Sequence, residues 1–282
     1  MAGSKRLAVQ HGAAVLAPSR TSRPEFSMMC EYDRDLLSSF GQSPDAAATG
    51  QRPVVTHVDL VQQLLDADPL GPVEPDLVMV AYALPDVHPF TTTATHLNRL
   101  LGNHAASFAI AEQGLAAPFS ALRIAAAYCR LGYCDQAVLA VLEQTTLPNH
   151  DPLVHSADLV DSGAVLLLQA AGEAPGLDVR DVWVQRSPTY CGQRLADLIA
   201  SARSGELLLV QGPRIGHDVP ADGVEVHRHA DRTYCTSVWM ALAQHSEWAE
   251  QYTTVVLHDT DPRSGTCAAA VLRTVAHPES SP

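Results

Sequence analysis

Two stretches hold polar residues where a buried scaffold would present them. Glu112 and Gln113 follow the apolar run Ala105 to Ala111, which reads as a fully buried strand, and precede an apolar helix counted from Pro118, so they stand between a strand end and a helix head. A carboxylate there can take a proton and a neighbouring amide can orient a carbonyl, although both can equally satisfy backbone groups of the turn. The second stretch is His227-x-His229-x-Asp231. Residues two apart in an extended segment point to the same side, so both imidazoles can reach one metal, or His229 and Asp231 can form a pocket pair. Glu143 and Gln144 end another apolar run, and ligands gather at such strand ends; a solvated terminus is the competing expectation.

Other polar residues say less. His88 lies in the loop PDVHPF and is expected to be exposed, and His155, Asp158 and Asp161 are spaced for one helix face but read as surface or turn groups, Asp161 as structural. Trp183, Trp239 and Trp248 read as core or interface. No glycine-rich phosphate loop is present, so no cofactor is expected.

A scaffold must hold these groups in place, and the composition allows one. With 282 residues and 46% hydrophobic content the chain can bury a large core. A net charge of −13 with 18 basic residues argues against a nucleic-acid surface. No apolar run reaches membrane-spanning length, and Gln10 and His11 interrupt the apolar patch near the N-terminus, against a signal peptide. The six cysteines, without metal-type spacing, read as buried thiols of a cytoplasmic protein.

Apolar runs predict strands at Leu7 to Ala17, Asp76 to Leu84, Ala105 to Ala111, Gln136 to Leu142, Ser162 to Gln169, Leu177 to Gln185, Leu207 to Val210, Val224 to Val226, Thr253 to Leu257 and Cys267 to Val275. Helices are expected at Cys30 to Phe40, Val58 to Ala67 with Thr56 as cap, Thr95 to Leu101, Pro118 to Gly132, Gln193 to Ala202 and Thr236 to Gln244. The helix from Pro118 has hardly any polar face, which predicts burial on every side. A break at Ala170 to Gly176 separates residues 1–170 from 171–282, and the second part repeats the grammar of the first. Such alternation predicts an α/β architecture of sheets with helices between and outside them.

The stretches DLVMVAYALPDVHPFTTTATHLNRLLG, SFAIAEQGLAAPFSALRIAAAYCRLG, AVLAVLEQ, DSGAVLLL and SGTCAAAVLR resemble successive segments of the β-ketoacyl synthase III branch of the thiolase superfamily. The resemblance implies a thiolase-like layered αβαβα fold built from two related halves. It also implies an acyl thioester, on coenzyme A or an acyl carrier protein, as ligand, and a homodimer. It puts Leu115 in the place of the family's nucleophilic cysteine, Gln211 or Gly212 in that of its histidine, and Asp231 or Arg232 in that of its asparagine. Covalent catalysis is then lost, leaving non-covalent transfer in a specialised acyl or polyketide pathway with the head of the helix from Pro118 as oxyanion site. The expected pocket uses Glu112, Gln113, His229 and Asp231 catalytically and Gly114, Leu115, Gln144, Gln211 and Arg232 to bind substrate. Glu112-Gln113 also resembles chain-length factors, in which glutamine replaces the cysteine, and this implies a non-catalytic ketosynthase partner as the alternative. The His-x-His-x-Asp run resembles the first metal motif of metallo-β-lactamase-like hydrolases, a third and weaker possibility, and no metal is expected.

Overall fold

Which face of each strand is apolar decides how the chain layers. The computed structural model describes residues 5–21, 26–43, 53–88, 90–147, 150–172, 176–203, 205–213, 224–229 and 232–274, with side chains except at 26–30 and 188. Its strands are β1 (Leu7–Leu16), β2 (Leu77–Tyr82), β3 (Ala106–Ile110), β4 (Gln136–Glu143), β5 (Ser162–Ala170), β6 (Leu177–Gln185), β7 (Leu207–Gln211), β8 (Glu225–Arg228), β9 (Thr254–Thr260) and β10 (Cys267–Thr274). The helices are α1 (Phe26–Ser38), α2 (His57–Ala67), α3 (Thr93–Leu100), α4 (Ala117–Arg130), α5 (Pro152–Ser156), α6 (Pro188–Ser201), α7 (Ser237–Gln244) and α8 (Trp248–Gln251).

The strands are ordered β3-β2-β4-β5-β1-β6-β10-β9-β7-β8, so the last five repeat the permutation of the first five from the opposite edge. Directions repeat too. β2 is parallel to β3 and β4, as β7 is to β8 and β9, while β5 and β10 are each antiparallel to both neighbours. Among the described residues the two groups of strands pair at Ala8 opposite Asp178 and Val9 opposite Leu177.

Alternation then sorts the side chains into layers. Leu77, Met79 and Ala81 of β2 share the central core with Leu208 and Val210 of β7 and with α4 and α7, whereas Val78 and Val80 face Leu60 and Leu64 of α2 and Leu97 of α3. In the second half Leu207 and Leu209 turn outward to Leu195 and Ile199 of α6. The layers are thus helices, sheet, α4 with α7, sheet, helix. At the centre Phe119 of α4 meets Trp239 of α7 edge-on, with ring centroids 4.9 Å apart.

Three expectations are corrected. The strand predicted to be fully buried, β3, is the sheet edge, paired only with β2, and Ala106 and Ala109 are exposed. Helix α4 is buried all round only in its first turns; beyond them Arg123, Tyr128 and Arg130 are exposed while Ala125 and Cys129 stay fully buried, so its later turns keep one covered face and one open one. Cys191 and Cys267 form a disulfide between α6 and β10 with Cα atoms 6.3 Å apart, and among the described residues Cys129, Cys134 and Cys235 are free buried thiols. Thr56 caps α2 as its sequence predicts, in a reciprocal box with Asp59. Gly132, at φ +78°, supplies the left-handed turn that stops α4.

His57, the first residue of α2, carries a pH-dependent stability. It is 1% exposed and packs on Tyr82 with ring centroids 4.8 Å apart; burial holds its imidazole below the ordinary range, opposed by Asp86. The native state therefore keeps His57 neutral while the unfolded chain takes up a proton as pH falls through about 6.5. Stability drops on that descent by at most about 1.4 kcal/mol per pH unit, until the native value is reached. Urea unfolding between pH 7.5 and 5 should record the slope in the wild type and a shallower one in His57→Asn.

Candidate active site

A single strand end supplies two acids to the heart of the molecule. Val255 and Leu257 of β9 face the central core, so by the same alternation Asp259 and, just beyond the strand, Asp261 face inward as well. Both are buried, at 1% and 3% exposure.

Asp261 reaches the head of α4. There a 3₁₀ turn at Gly114–Ala116 leads into the helix, with Glu112 at φ +60° and Gly114 at φ +53°. A Cβ on Gly114 would stand 2.2 Å from Asp261 Oδ2 and 3.0 Å from the Tyr234 hydroxyl, so only glycine leaves room for the two groups that converge on this turn. The Leu115 N–H points to Asp261 Oδ2 at 3.4 Å, and the other oxygen accepts from the Arg263 N–H at 2.8 Å. The expected oxyanion site at the helix head is therefore corrected: a carboxylate of the protein already covers it.

Asp259 fills a second glycine position. A Cβ on Gly212, just after β7, would lie 2.0–2.2 Å from its carboxyl atoms. Ser237 Oγ donates to Asp259 at 3.0 Å and the Thr260 N–H at 2.8 Å. Gly212→Ala should consequently destabilise the fold by about 1–3 kcal/mol through overpacking, read as a lower urea midpoint at unchanged slope.

Tyr234 and Cys235, on the turn before α7, are held by Glu143 at the end of β4. The Tyr234 N–H donates to its two oxygens at 2.8 and 3.1 Å and the Cys235 N–H at 2.6 Å. Glu143 is completely buried, so the expected solvated strand terminus is corrected; both its carboxyl oxygens accept from backbone N–H groups. Burial, and then the Asp261 charge, raise the Tyr234 phenol, which stays protonated. Arg263 lies over the Tyr234 ring at 5.4 Å and forks onto Asp151, with both contacts at 2.8 Å.

These groups surround a cleft of about 720 Å³. Its lining includes Glu112, Gln113 and Gly114, the cations Arg186 and Arg263, and the buried Tyr234 and Asp261. Glu112 and Gln113 are exposed, and Gln113 accepts from Ser120 Oγ at 2.5 Å, which fixes the amide. No cysteine lines the cleft among the described residues. Burial raises the Cys235 thiol, next to Tyr234, well above the ordinary range; around the far end of α4 it raises Cys129 and pushes Cys134 up to about 12.

The other predicted residues lie elsewhere. The Leu115 side chain belongs to the central core. Gln144 is buried with both ends of its amide on backbone, donating to the Pro85 carbonyl and accepting from Thr146 N–H at 2.8 Å. Gln211 is buried and accepts from Arg228 Nε at 3.3 Å. Arg232 turns away to Asp158, bonding its carboxylate at 2.8 Å and its carbonyl at 3.0 Å. The His229 N–H donates to the Gln211 carbonyl at 3.3 Å, outside the cleft wall, and Asp231 lies outside the described residues. His227 packs against His245 and Trp248, with ring centroids 5.2 and 5.1 Å away, and the one group of metal-type ligands among the described residues is Cys191, His258 and Cys267 instead.

Sequence reasoning missed Asp259, Asp261, Tyr234 and Arg263. The signal was the pair of aspartates two apart directly after an apolar strand, a spacing that sends both to the same face.

Neither a protein-family model nor a curated protein matches the chain. Solved structures do. A glutamate-to-glutamine variant of OleA from Xanthomonas campestris matches at TM-score 0.60 and 16% identity, covering 96% of this chain and 98% of that one. Cerulenin-bound OleA from the same organism gives 0.61 and 16%, with 95% and 96% covered. The 3-oxoacyl-(acyl carrier protein) synthase III, FabH, of Xanthomonas oryzae pv. oryzae gives 0.60 and 17%, with 95% and 98% covered. At these identities the likeness establishes the fold: a thiolase-like α/β architecture of two related halves. No helix among the described residues is long and apolar enough to cross a membrane.

Proposed function

We propose that this chain binds an acyl thioester, on coenzyme A or an acyl carrier protein, in the cleft before Gly114 and transfers the acyl group without forming an acyl-enzyme. The observation that carries this is the polar cleft opening onto Glu112 at the head of the central helix, with no thiol among its described lining residues. Glu112 takes the proton of the acceptor; the acceptor attacks the thioester carbonyl, and the thiolate leaves. The Gln113 amide polarises the carbonyl oxygen, in place of the helix-head N–H that Asp261 covers. The synthase named among the structural neighbours is an acyl-carrier-protein enzyme by its own description, which supports the substrate class; a place in a specialised acyl or polyketide pathway is part of the same proposal. Native mass spectrometry after incubation with a panel of acyl thioesters tests the proposal. Reversible adducts are expected, and radiolabel retained covalently after denaturation would contradict it.

The division at residue 170 and a homodimer belong to the same proposal. β3 is an edge strand with one side unpaired among the described strands, and an uncovered edge is a template for a second copy. Lysines at both Ala106 and Ala109 should convert a dimer to monomer in light scattering. A second function, a non-catalytic partner of a cysteine-bearing ketosynthase, is favoured by one feature, the Asp261 carboxylate over the helix head. Co-purification with such a synthase would support it. A cytoplasmic location is part of the same reading: Cys129, Cys134 and Cys235 are free thiols among the described residues and accord with it, while the Cys191–Cys267 disulfide counts against it.

A further inference from the structure

We propose that Cys191, His258 and Cys267 form a redox-gated zinc site in the outer layer of the second half. When the Cys191–Cys267 bond is reduced, two thiolates and one imidazole hold a single soft divalent ion. The three residues are buried, at 0%, 4% and 2% exposure, and their ligand atoms lie within 4.8 Å of one another.

The strand pattern explains why they meet. Asp259 faces the central core, so its neighbour His258 points to the opposite face, toward α6. Cys267 of β10 lies on that outer face with Ala269 and Val271, and Cys191 comes down on it from α6. His258 Nε2 stands 3.3 Å from Cys267 Sγ. For a tetrahedral zinc with bonds of about 2.3 Å to sulfur and 2.0 Å to nitrogen, that separation should be about 3.5 Å. The sulfurs would have to part to about 3.8 Å, from the same bond length. A Cα separation of 6.3 Å is at the wide end of what a disulfide spans, and leaves the side chains room to do so. Thiolate and imidazole ligands select zinc over the hard oxygen-seeking ions.

The balance is simple. The disulfide takes two electrons and two protons from a dithiol, which becomes a disulfide itself; zinc then displaces the two thiol protons. The position bears on the cleft, because Cys267 directly follows Thr266, a cleft residue whose carbonyl accepts from the Asp261 N–H at 2.8 Å.

The test compares the full chain in two redox forms. One sample is reduced with a water-soluble phosphine, which leaves as phosphine oxide with its oxygen from water, and the other is kept oxidised. Both are exposed to zinc chloride, desalted anaerobically and measured by elemental analysis. About one zinc per chain is expected in the reduced form, as for a single three-ligand site, and less than a tenth of that in the oxidised form. Cobalt(II) should give a thiolate charge-transfer band in the near ultraviolet with reduced wild type, and lose it in Cys191→Ser. Equal zinc in both forms, zinc in neither, or an unchanged cobalt band in Cys191→Ser would overturn the proposal. The wild-type comparison needs no variant, so a folding failure of Cys191→Ser leaves the test intact.

Discussion

Glu112→Gln is expected to lower acyl-thioester turnover by about 10²–10⁴-fold, the usual contribution of a positioned base, with adduct formation in native mass spectra little changed. Size and hydrogen-bonding reach are nearly preserved, while the ability to accept a proton at neutral pH is removed. Glu112 is exposed at φ +60° on the wall of the cleft and makes no packing contribution to the core, so loss of the fold does not confound the result. The measurement is thiol release from whichever thioester binds most tightly. Turnover persisting at the wild-type rate would remove Glu112 from the mechanism, whereas a wild type that binds thioesters without any turnover would favour the non-catalytic partner function.

Glu143→Ala should destabilise the protein by about 3–5 kcal/mol, because it strands two buried N–H donors and opens a cavity. The carboxylate lies between β4 and the turn before α7 and receives the N–H groups of Tyr234 and Cys235. Those residues lie 91 and 92 positions away in sequence, so Glu143 joins the first half of the fold to the turn that lays Tyr234 under the cleft. Glu143→Gln retains one acceptor oxygen and should recover part of the loss. For a chain of this size each kcal/mol shifts Tm by about 2–4 °C, so scanning calorimetry should place the alanine variant roughly 10 °C below the wild type. A Tm within 2 °C of wild type would show that water or a shifted backbone satisfies the stranded donors.

Much of the framework is decided locally. Thr56 with Asp59 starts α2 and Gly132 stops α4, through hydrogen bonds and a backbone angle that neighbouring residues set among themselves. Runs such as Leu77 to Tyr82 declare a strand covered on both faces, and their recurrence in two series declares two similar halves. The chemistry around Glu112 is another matter. Asp261 and Tyr234 come from positions more than a hundred residues away, and the two acids of β9 are legible only once the strand is known to continue past the apolar residue Leu257. A sequence states which residue types are available and how each strand alternates. Which glycine receives which carboxylate, which sheet edge stays open and which cysteine meets which histidine depend on how the strands and helices pack in space, since those separations have no counterpart along the chain.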